Sequence, residues 1–178
     1  MEKILVVVDM QNDFIDGSLG TPEAQAIVSK VAEKILWHEG RVVCTQDTHN
    51  NNYLNTEEGK RLPIPHCIKK TLGWFFNNKI IDALETQLEV VNVRKPTFGS
   101  AALPEIIREI LDVEDYKNPS IELVGLCTDI CVISNALLLK AHFPNIPISV
   151  DSTCCAGTTP EKHAAALEVM RSCQIDVL

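Results

Sequence analysis

The sequence predicts a three-layer α/β/α, Rossmann-like fold with a central, mainly parallel sheet of five or six strands. Short apolar, β-branched runs alternate with helical stretches along the 178 residues. The runs are continuously apolar, which is typical of strands covered on both faces. Hydrophobic residues make up 46% of the chain and charged residues 22%, so we expect one packed domain over residues 1–178.

The strands are predicted from apolar runs bounded by polar or turn residues. They cover residues 4–8, 42–45, 90–93, 121–126 and 148–150, with a last short strand at 175–178.

The helices are predicted from apolar periodicity at residues 24–37, 103–111, 130–142 and 160–173. Thr21 and Thr159 are each followed by Pro and Glu, which favours a helix start at both places. Gly40 is expected to stop the first helix. The long irregular stretch at 47–74 indicates a functional loop.

Composition excludes several kinds of partner. The net charge of −8 argues against nucleic acid. No run approaches the roughly 20 apolar residues of a membrane helix, and no cleavage site precedes the first strand, so we expect a cytoplasmic protein without membrane contact. The seven cysteines lack a CxxC pair and are expected to be reduced thiols.

Polar residues that end the predicted strands should meet at one edge of a parallel sheet. Cys131 is the candidate nucleophile, because Thr128 is expected to cap a helix whose first turn would favour the thiolate. Asp9 could accept the thiol proton, and Lys95 could stabilise both anions. The alternative interpretations are a buried structural cysteine, a loop-capping aspartate and a solvated lysine.

The long loop carries a second group of polar residues. Asp47, His49, His66 and an acid at position 57 or 58 form a mixed nitrogen and oxygen set that suits Zn, Mn or Fe. In the alternative interpretation, Asp47 and His49 only organise a turn and His66 is an ordinary loop histidine.

Five segments together resemble the cysteine hydrolases of the isochorismatase-like superfamily, and within it the nicotinamidases. The resemblance spans nearly the whole chain and keeps the order of the motifs. The segments are 8–14 (VDMQNDF), 45–49 (TQDTH), 65–67 (PHC), 95–100 (KPTFGS) and 125–132 (GLCTDICV).

The resemblance implies that Asp9 is the base, Lys95 the positioning cation and Cys131 the nucleophile. It also implies a cis peptide bond before Cys127, with the backbone N–H groups of Cys127 and Cys131 forming an oxyanion hole. Phe14 and Leu126 would contact the substrate.

The resemblance also implies a divalent metal that lies beside the thiol and binds the pyridine nitrogen. Zinc is expected, with Mn or Fe as alternatives. The matching ligands are Asp47, His49 and His66, with Glu58 preferred as the fourth over Glu57 or Asn55. The chain departs from the nicotinamidase pattern at Pro63, where an aromatic residue usually stacks on the substrate ring. The loop aromatics Tyr53, Trp74 and Phe75 are candidates to replace it.

The implied activity is hydrolysis of nicotinamide to nicotinate and ammonia through a cysteine thioester. The main alternative is another cysteine amidase of this superfamily, acting on a carbamoyl or ureido compound. Cleavage of isochorismate is disfavoured, because members that perform it lack the cysteine. A catalytically silent binding protein is the third possibility. Members commonly form dimers or tetramers, so a homo-oligomer is expected.

Overall fold

The structure, a computed structural model, describes residues 2–178 and contains one six-stranded sheet. Every neighbouring pair of strands is parallel, in the order β3-β2-β1-β4-β5-β6. The strands are β1 (Glu2–Val8), β2 (Arg41–Asp47), β3 (Val90–Lys95), β4 (Pro119–Leu126), β5 (Ile148–Ala156) and β6 (Asp176–Val177). The predicted α/β fold with a parallel sheet is therefore confirmed.

Helices cover both faces of the sheet and complete three layers. They are α1 (Asn12–Ile15), α2 (Pro22–Leu36), α3 (Glu57–Arg61), α4 (Asn78–Leu84), α5 (Leu103–Val113), α6 (Ile133–His142) and α7 (Pro160–Ser172). Apolar residues of α1, α2 and α4 pack on one face, and those of α5, α6 and α7 pack on the other.

The central strand β1 shows why the apolar runs are continuous. Leu5 and Val7 belong to the core under α2, whereas Val6 and Val8 belong to the core on the opposite face. All four side chains are fully buried. A strand with helices on both sides buries every residue, which removes the polar alternation of a half-exposed strand.

The predicted N-caps of α2 and α7 are correct. The hydroxyls of Thr21 and Thr159 accept hydrogen bonds from Ala24 N at 3.1 Å and Lys162 N at 3.2 Å, as N-cap residues do. The prediction for Gly40 is wrong, since α2 ends at Leu36. A Cβ at Gly40 would lie 1.9 Å from the carbonyl oxygen of Lys3, so this glycine permits a close approach to β1.

The segment after β4 also differs from the prediction. It begins with a π-helical turn over Thr128–Val132 before α6 starts. Thr128 is not the cap, because Cys127 holds that position. The Thr128 hydroxyl is instead buried and lies 2.8 Å from Nδ1 of His163 on α7. The sequence pattern missed this because the partner is 35 residues away.

The strand order brings β1 and β4 side by side at the point where the chain changes its direction of winding. Such a switch point opens a crevice outside the carboxyl ends of the strands. Gly125 allows the two strands to approach there, since its φ is +116° and a Cβ would lie 2.1 Å from the Val8 carbonyl oxygen. Among residues 2–178, the helices are too short or too polar to cross a bilayer.

Candidate active site

The structure brings Asp9, Lys95 and Cys131 together at the switch point. Asp9 directly follows β1, Lys95 is the last residue of β3, and Cys131 lies in the π-helical turn after β4. Nζ of Lys95 is 2.6 Å from Oδ2 of Asp9 and 3.4 Å from Sγ of Cys131. Three residues remote in sequence therefore form one contact group.

All three side chains are shielded from water. Asp9 is 0% exposed, Lys95 1% and Cys131 4%. Oδ1 of Asp9 accepts a 2.7 Å hydrogen bond from the hydroxyl of Thr45, and Lys95 Nζ also lies 3.6 Å from Oδ1 of Asp47. Burying a charge is costly unless it is paired, so the carboxylate and the ammonium group depend on each other.

Burial determines the protonation of this group. It raises the pKa of Asp9, although Lys95 opposes the rise. Burial and then the Asp9 carboxylate raise the pKa of Cys131 well above its usual range, which opposes the thiolate that the helix turn was predicted to favour. The turn dipole is outweighed by desolvation of the sulfur. Burial alone would lower the pKa of Lys95, but Asp9 raises it, so the lysine stays charged.

The turn that carries Cys131 is held by its own backbone and by Asn135. The peptide bond between Leu126 and Cys127 is cis. The carbonyl oxygen of Cys127 accepts hydrogen bonds from the N–H groups of Ile130 at 3.0 Å and Val132 at 3.1 Å. Asn135 donates from Nδ2 to the Cys131 carbonyl at 2.8 Å. The backbone N–H groups of Cys127 and Cys131 thus belong to one tight turn.

A second cluster lies beside this group. One ligand atom from each of Asp47, His49 and His66 can be chosen so that all lie within 4.8 Å of one another. Oε1 of Glu58 lies 3.7 Å from Nε2 of His49 and 3.5 Å from Nε2 of His66. The four residues predicted as metal ligands are therefore neighbours.

The donors of this cluster fit a divalent cation. Nε2 of His49 is buried and, although 3.0 Å from Oδ2 of Asp47, makes no hydrogen bond of acceptable geometry to residues 2–178. A buried imidazole nitrogen without a hydrogen bond is costly unless something binds it. Two imidazoles and two carboxylates also match the donors that zinc takes in proteins.

The electrostatics of the cluster favour positive charge. Burial alone would lower the pKa of His66, but Asp47 and Glu58 raise it to about 10. The pKa of Asp47 is lowered, because His49, His66 and Lys95 outweigh its burial. A bound metal ion would replace the proton that the carboxylates otherwise attract to His66.

Two residues that the sequence analysis did not single out hold this cluster in place. Gln11 receives a 2.7 Å hydrogen bond from Asp47 N on its Oε1 and donates from Nε2 to the Asp47 carbonyl at 2.9 Å. Oδ2 of Asp13 accepts a 2.7 Å hydrogen bond from Cys67 N, next to His66. Both lie in the 8–14 motif, which was the available signal, but their partners are 36 and 54 residues away.

The predicted substrate contacts lie in different surroundings. Phe14 is 8% exposed, and its ring centroid lies 5.5 Å from that of His66, beside the metal cluster. Leu126 is fully buried in the core under α2. The predicted contact of the Leu126 side chain with the substrate is therefore not supported, because this side chain packs in the core.

The three aromatic residues that could replace the one missing at Pro63 also differ in their surroundings. Tyr53 is buried, and its ring packs edge-on against both histidines, with centroids 4.8 Å from His49 and 5.0 Å from His66. Trp74 donates from Nε1 to the Thr48 hydroxyl at 2.9 Å, and Phe75 packs against Trp74. Trp74 and Phe75 therefore act in loop packing.

Comparison with known proteins agrees with this geometry. A family model described as an isochorismatase domain matches residues 3–178. The nicotinamidase/pyrazinamidase of Mycobacterium tuberculosis is 27% identical over 186 residues, which cover 99% of this chain and 98% of that protein. The crystal structure of a pyrazinamidase of Pyrococcus horikoshii in complex with zinc has a TM-score of 0.80 and 26% identity, and the match covers 100% of this chain and 99% of that one.

A further similar structure is that of an amidase for a different kind of amide. N-carbamoylsarcosine amidase from Thermoplasma acidophilum has a TM-score of 0.73 and 25% identity, with 99% of this chain and 95% of that chain covered. Since the family model spans nearly the entire sequence and the structural matches cover the whole fold, the chain belongs to the isochorismatase domain family.

Proposed function

We propose that this protein is a nicotinamidase-like amidohydrolase, which hydrolyses the carbon–nitrogen bond of nicotinamide to release nicotinate and ammonia. The observation that carries the proposal is the contact of the buried Lys95 ammonium group with both the Asp9 carboxylate and the Cys131 sulfur. Relatives named as nicotinamidases or pyrazinamidases support the choice of substrate.

The proposed reaction begins with transfer of the thiol proton from Cys131 to Asp9. A base is needed because the pKa of the buried thiol is raised, and the raised pKa of Asp9 makes its carboxylate a better acceptor. Oδ2 of Asp9 forms a 2.6 Å ion pair with Nζ of Lys95 that lacks hydrogen-bond geometry, so a lone pair of this oxygen is left for the proton. Lys95 stabilises the two anions in turn.

The sulfur then attacks the amide carbonyl and forms a tetrahedral oxyanion, which the backbone N–H groups of Cys127 and Cys131 stabilise. Protonated Asp9 returns the proton to the leaving nitrogen, so ammonia departs and a thioester remains. Asp9 next removes a proton from water, whose oxygen attacks the thioester carbon. The carbon–sulfur bond then breaks, nicotinate leaves, and Asp9 returns its proton to the sulfur, which regenerates the thiol. One carboxyl group thus serves both halves of the reaction.

Asp47, His49 and His66, with Glu58 as the fourth ligand, would hold one divalent ion, and zinc is favoured by the donor set. Such an ion supplies a Lewis-acid site for the ring nitrogen of the substrate. The protein itself orients the carboxamide towards Cys131 and keeps water away from the sulfur. A homo-oligomer in the cytoplasm remains part of the proposal.

The first test separates the two cysteines of the 125–132 motif. Cys131→Ala is expected to abolish ammonia release from nicotinamide, because no other group occupies the position of the nucleophile. Cys127→Ala should retain appreciable activity, since the proposal uses only its backbone N–H. Circular dichroism of both variants verifies the fold. Equal activity of Cys131→Ala and the unchanged protein would refute the mechanism.

The second test concerns the metal. Purified protein should contain about one divalent ion per chain, and its removal by a chelator should abolish activity. Metal removal should also lower the melting temperature, since a ligand that binds only the folded state stabilises it. Asp47→Asn should reduce metal content, whereas Asp82→Asn on the surface of α4 should not. Full activity after complete metal removal would contradict the site.

The alternative is an amidase for a carbamoyl or ureido compound, which the match to N-carbamoylsarcosine amidase and the absence of an aromatic at position 63 favour. A panel of small amides assayed for ammonia separates the two. Hydrolysis of carbamoyl compounds in preference to nicotinamide would select the alternative.

A further inference from the structure

A cleft of about 680 Å³ opens beside the metal cluster, and the proposed reaction gives no role to its apolar walls. We call it the outer cleft. Its lining includes His49 and Glu58 from the metal cluster and Ile130, the neighbour of Cys131, with Leu62 and Phe98 as apolar walls. It therefore adjoins both the metal cluster and the turn of the nucleophile.

Phe98 is held in a fixed relation to Cys131. Asn135, which is fully buried on α6, donates from Nδ2 to the Cys131 carbonyl at 2.8 Å and contacts the Phe98 carbonyl at 3.4 Å. Its Oδ1 accepts a 2.9 Å hydrogen bond from Ser100 N. The same amide thus connects the turn of Cys131 to the segment that carries Phe98.

Leu62 on the other wall is tied to the metal cluster. Its carbonyl accepts a 3.0 Å hydrogen bond from the hydroxyl of Tyr53, the residue that packs on both histidines. Its N–H donates to the Glu58 carbonyl at 2.8 Å. Both walls are therefore positioned by residues of the site, yet their side chains are open to solvent, with Leu62 36% and Phe98 49% exposed.

Size and charge indicate what the outer cleft would take. Its volume lies within the range of roughly 300–1,000 Å³ found for sites that bind drug-sized molecules. The cleft is therefore larger than a single pyridine ring requires. The lining contains Arg61 together with Glu57 and Glu58, all from the short helix α3, so it carries charges of both signs and no excess that would select one ion. An uncharged, apolar group suits this lining better than an ion does.

We propose that the outer cleft is a second substrate subsite, walled by Leu62 and Phe98, that binds an apolar substituent attached to the ring or chain of the carboxamide. The inference rests on the proposed amidase activity and extends its substrate class to amides larger than nicotinamide. The aromatic surface absent at Pro63 is then supplied by Phe98 from the opposite side of the cleft.

The experiment compares nicotinamide with derivatives that carry methyl, propyl or phenyl groups on the ring. Ammonia release gives kcat and KM for the unchanged protein, Phe98→Ala, Leu62→Ala and the control Phe75→Ala. Phe75 is an exposed phenylalanine that packs on Trp74 outside the outer cleft. The metal-loaded protein is used throughout.

We expect the unchanged protein to hydrolyse at least one propyl or phenyl derivative with a kcat/KM no lower than that for nicotinamide. Phe98→Ala and Leu62→Ala should lower kcat/KM for that derivative by roughly tenfold more than they lower it for nicotinamide, mainly through KM. Phe75→Ala should not change the ratio between the two substrates.

The outcomes distinguish this inference from the function on which it rests. Hydrolysis of nicotinamide with rejection of every larger derivative, or an equal effect of Phe98→Ala on all substrates, overturns the subsite alone. Hydrolysis of larger amides but not nicotinamide supports the subsite and overturns the choice of nicotinamide. If no amide is hydrolysed, the proposed activity is refuted, and calorimetric titration of the phenyl derivative into the unchanged and Phe98→Ala proteins decides whether the cleft binds it.

Discussion

Lys95 is the residue on which the charges of the site depend. It is the only positively charged side chain, among residues 2–178, in contact with Asp9, and it also approaches Cys131 and Asp47. An opposite charge at this distance typically moves the pKa of a carboxyl group by roughly 1–3 units. Without Lys95, only the hydrogen bond from Thr45 would oppose the rise in the pKa of Asp9 that burial and Asp47 cause.

Lys95→Met should therefore lower kcat/KM at neutral pH by roughly 100-fold or more. Removal of the cation raises the pKa of Asp9, so the acid limb of the pH–rate profile should move to higher pH by about one unit or more. The measurement is kcat/KM against pH. Lys79→Met, on the exposed surface of α4, is the matched control and should leave the limb in place. An unmoved limb in Lys95→Met would show that Asp9 is not the group that titrates.

At the scale of elements, the π-helical turn depends on helix α7. The Thr128 hydroxyl contacts His163 at 2.8 Å, and both carboxylate oxygens of Asp129 accept hydrogen bonds from Thr158, at 2.8 Å from its N–H and 2.6 Å from its hydroxyl. The start of α7 is therefore part of the support of Cys131. Thr159 determines where that helix begins, because its hydroxyl caps it.

Thr159→Ala should reduce the free energy of unfolding by about 1 kcal/mol, the usual effect of losing an N-cap oxygen. Thr159→Ser keeps the oxygen and should be nearly as stable as the unchanged protein. Urea denaturation measures the midpoint and the slope, and the slope should not change. A Thr159→Ser variant as unstable as Thr159→Ala would show that the methyl group, and not the cap, stabilises α7.

At the scale of the whole molecule, a cation joins one helical layer to the sheet. Lys34 on α2 forms ion pairs with Glu122 on β4 and Asp151 on β5. All three side chains are largely buried, with exposures of 25%, 12% and 13%. Burial alone would raise the pKa of Asp151 and lower that of Lys34, but their mutual hydrogen bonds reverse both effects.

Lys34→Met should cost about 1 kcal/mol of stability near neutral pH. Because the folded pKa of Asp151 is lowered, its contribution is present above about pH 4 and is lost as the pH falls through that lowered value. The raised pKa of Lys34 keeps the pair charged up to at least about pH 10. Urea titrations from acid to neutral pH should therefore show the two proteins converging below about pH 4.

The control for this prediction is the exposed pair of Lys60 and Glu57, with exposures of 60% and 81%. Lys60→Met should have almost no effect, since solvent screens such pairs. A stability difference between Lys34→Met and the unchanged protein that stays constant down to pH 2 would contradict the assignment to Asp151.

The positions of the strands and main helices could be predicted because each depends on local patterns. The runs at 4–8 and 121–126 lie inside β1 and β4, and the caps at Thr21 and Thr159 are correct. Three short helices were not predicted, namely α1, α3 and α4. A helix of four to seven residues has too few turns for periodicity to show, and packing against its neighbours stabilises it.

The sequence by itself determined the fold class and which residues carry reactive groups, since apolar runs and motifs are properties of neighbouring positions. Only the tertiary structure decided how those groups behave. The 3.4 Å contact between Lys95 and Cys131, the raised pKa of the Cys131 thiol and the apolar walls of the outer cleft all arise where distant segments meet. Desolvation and electrostatic contact depend on distance in space, which the order of residues along the chain does not specify.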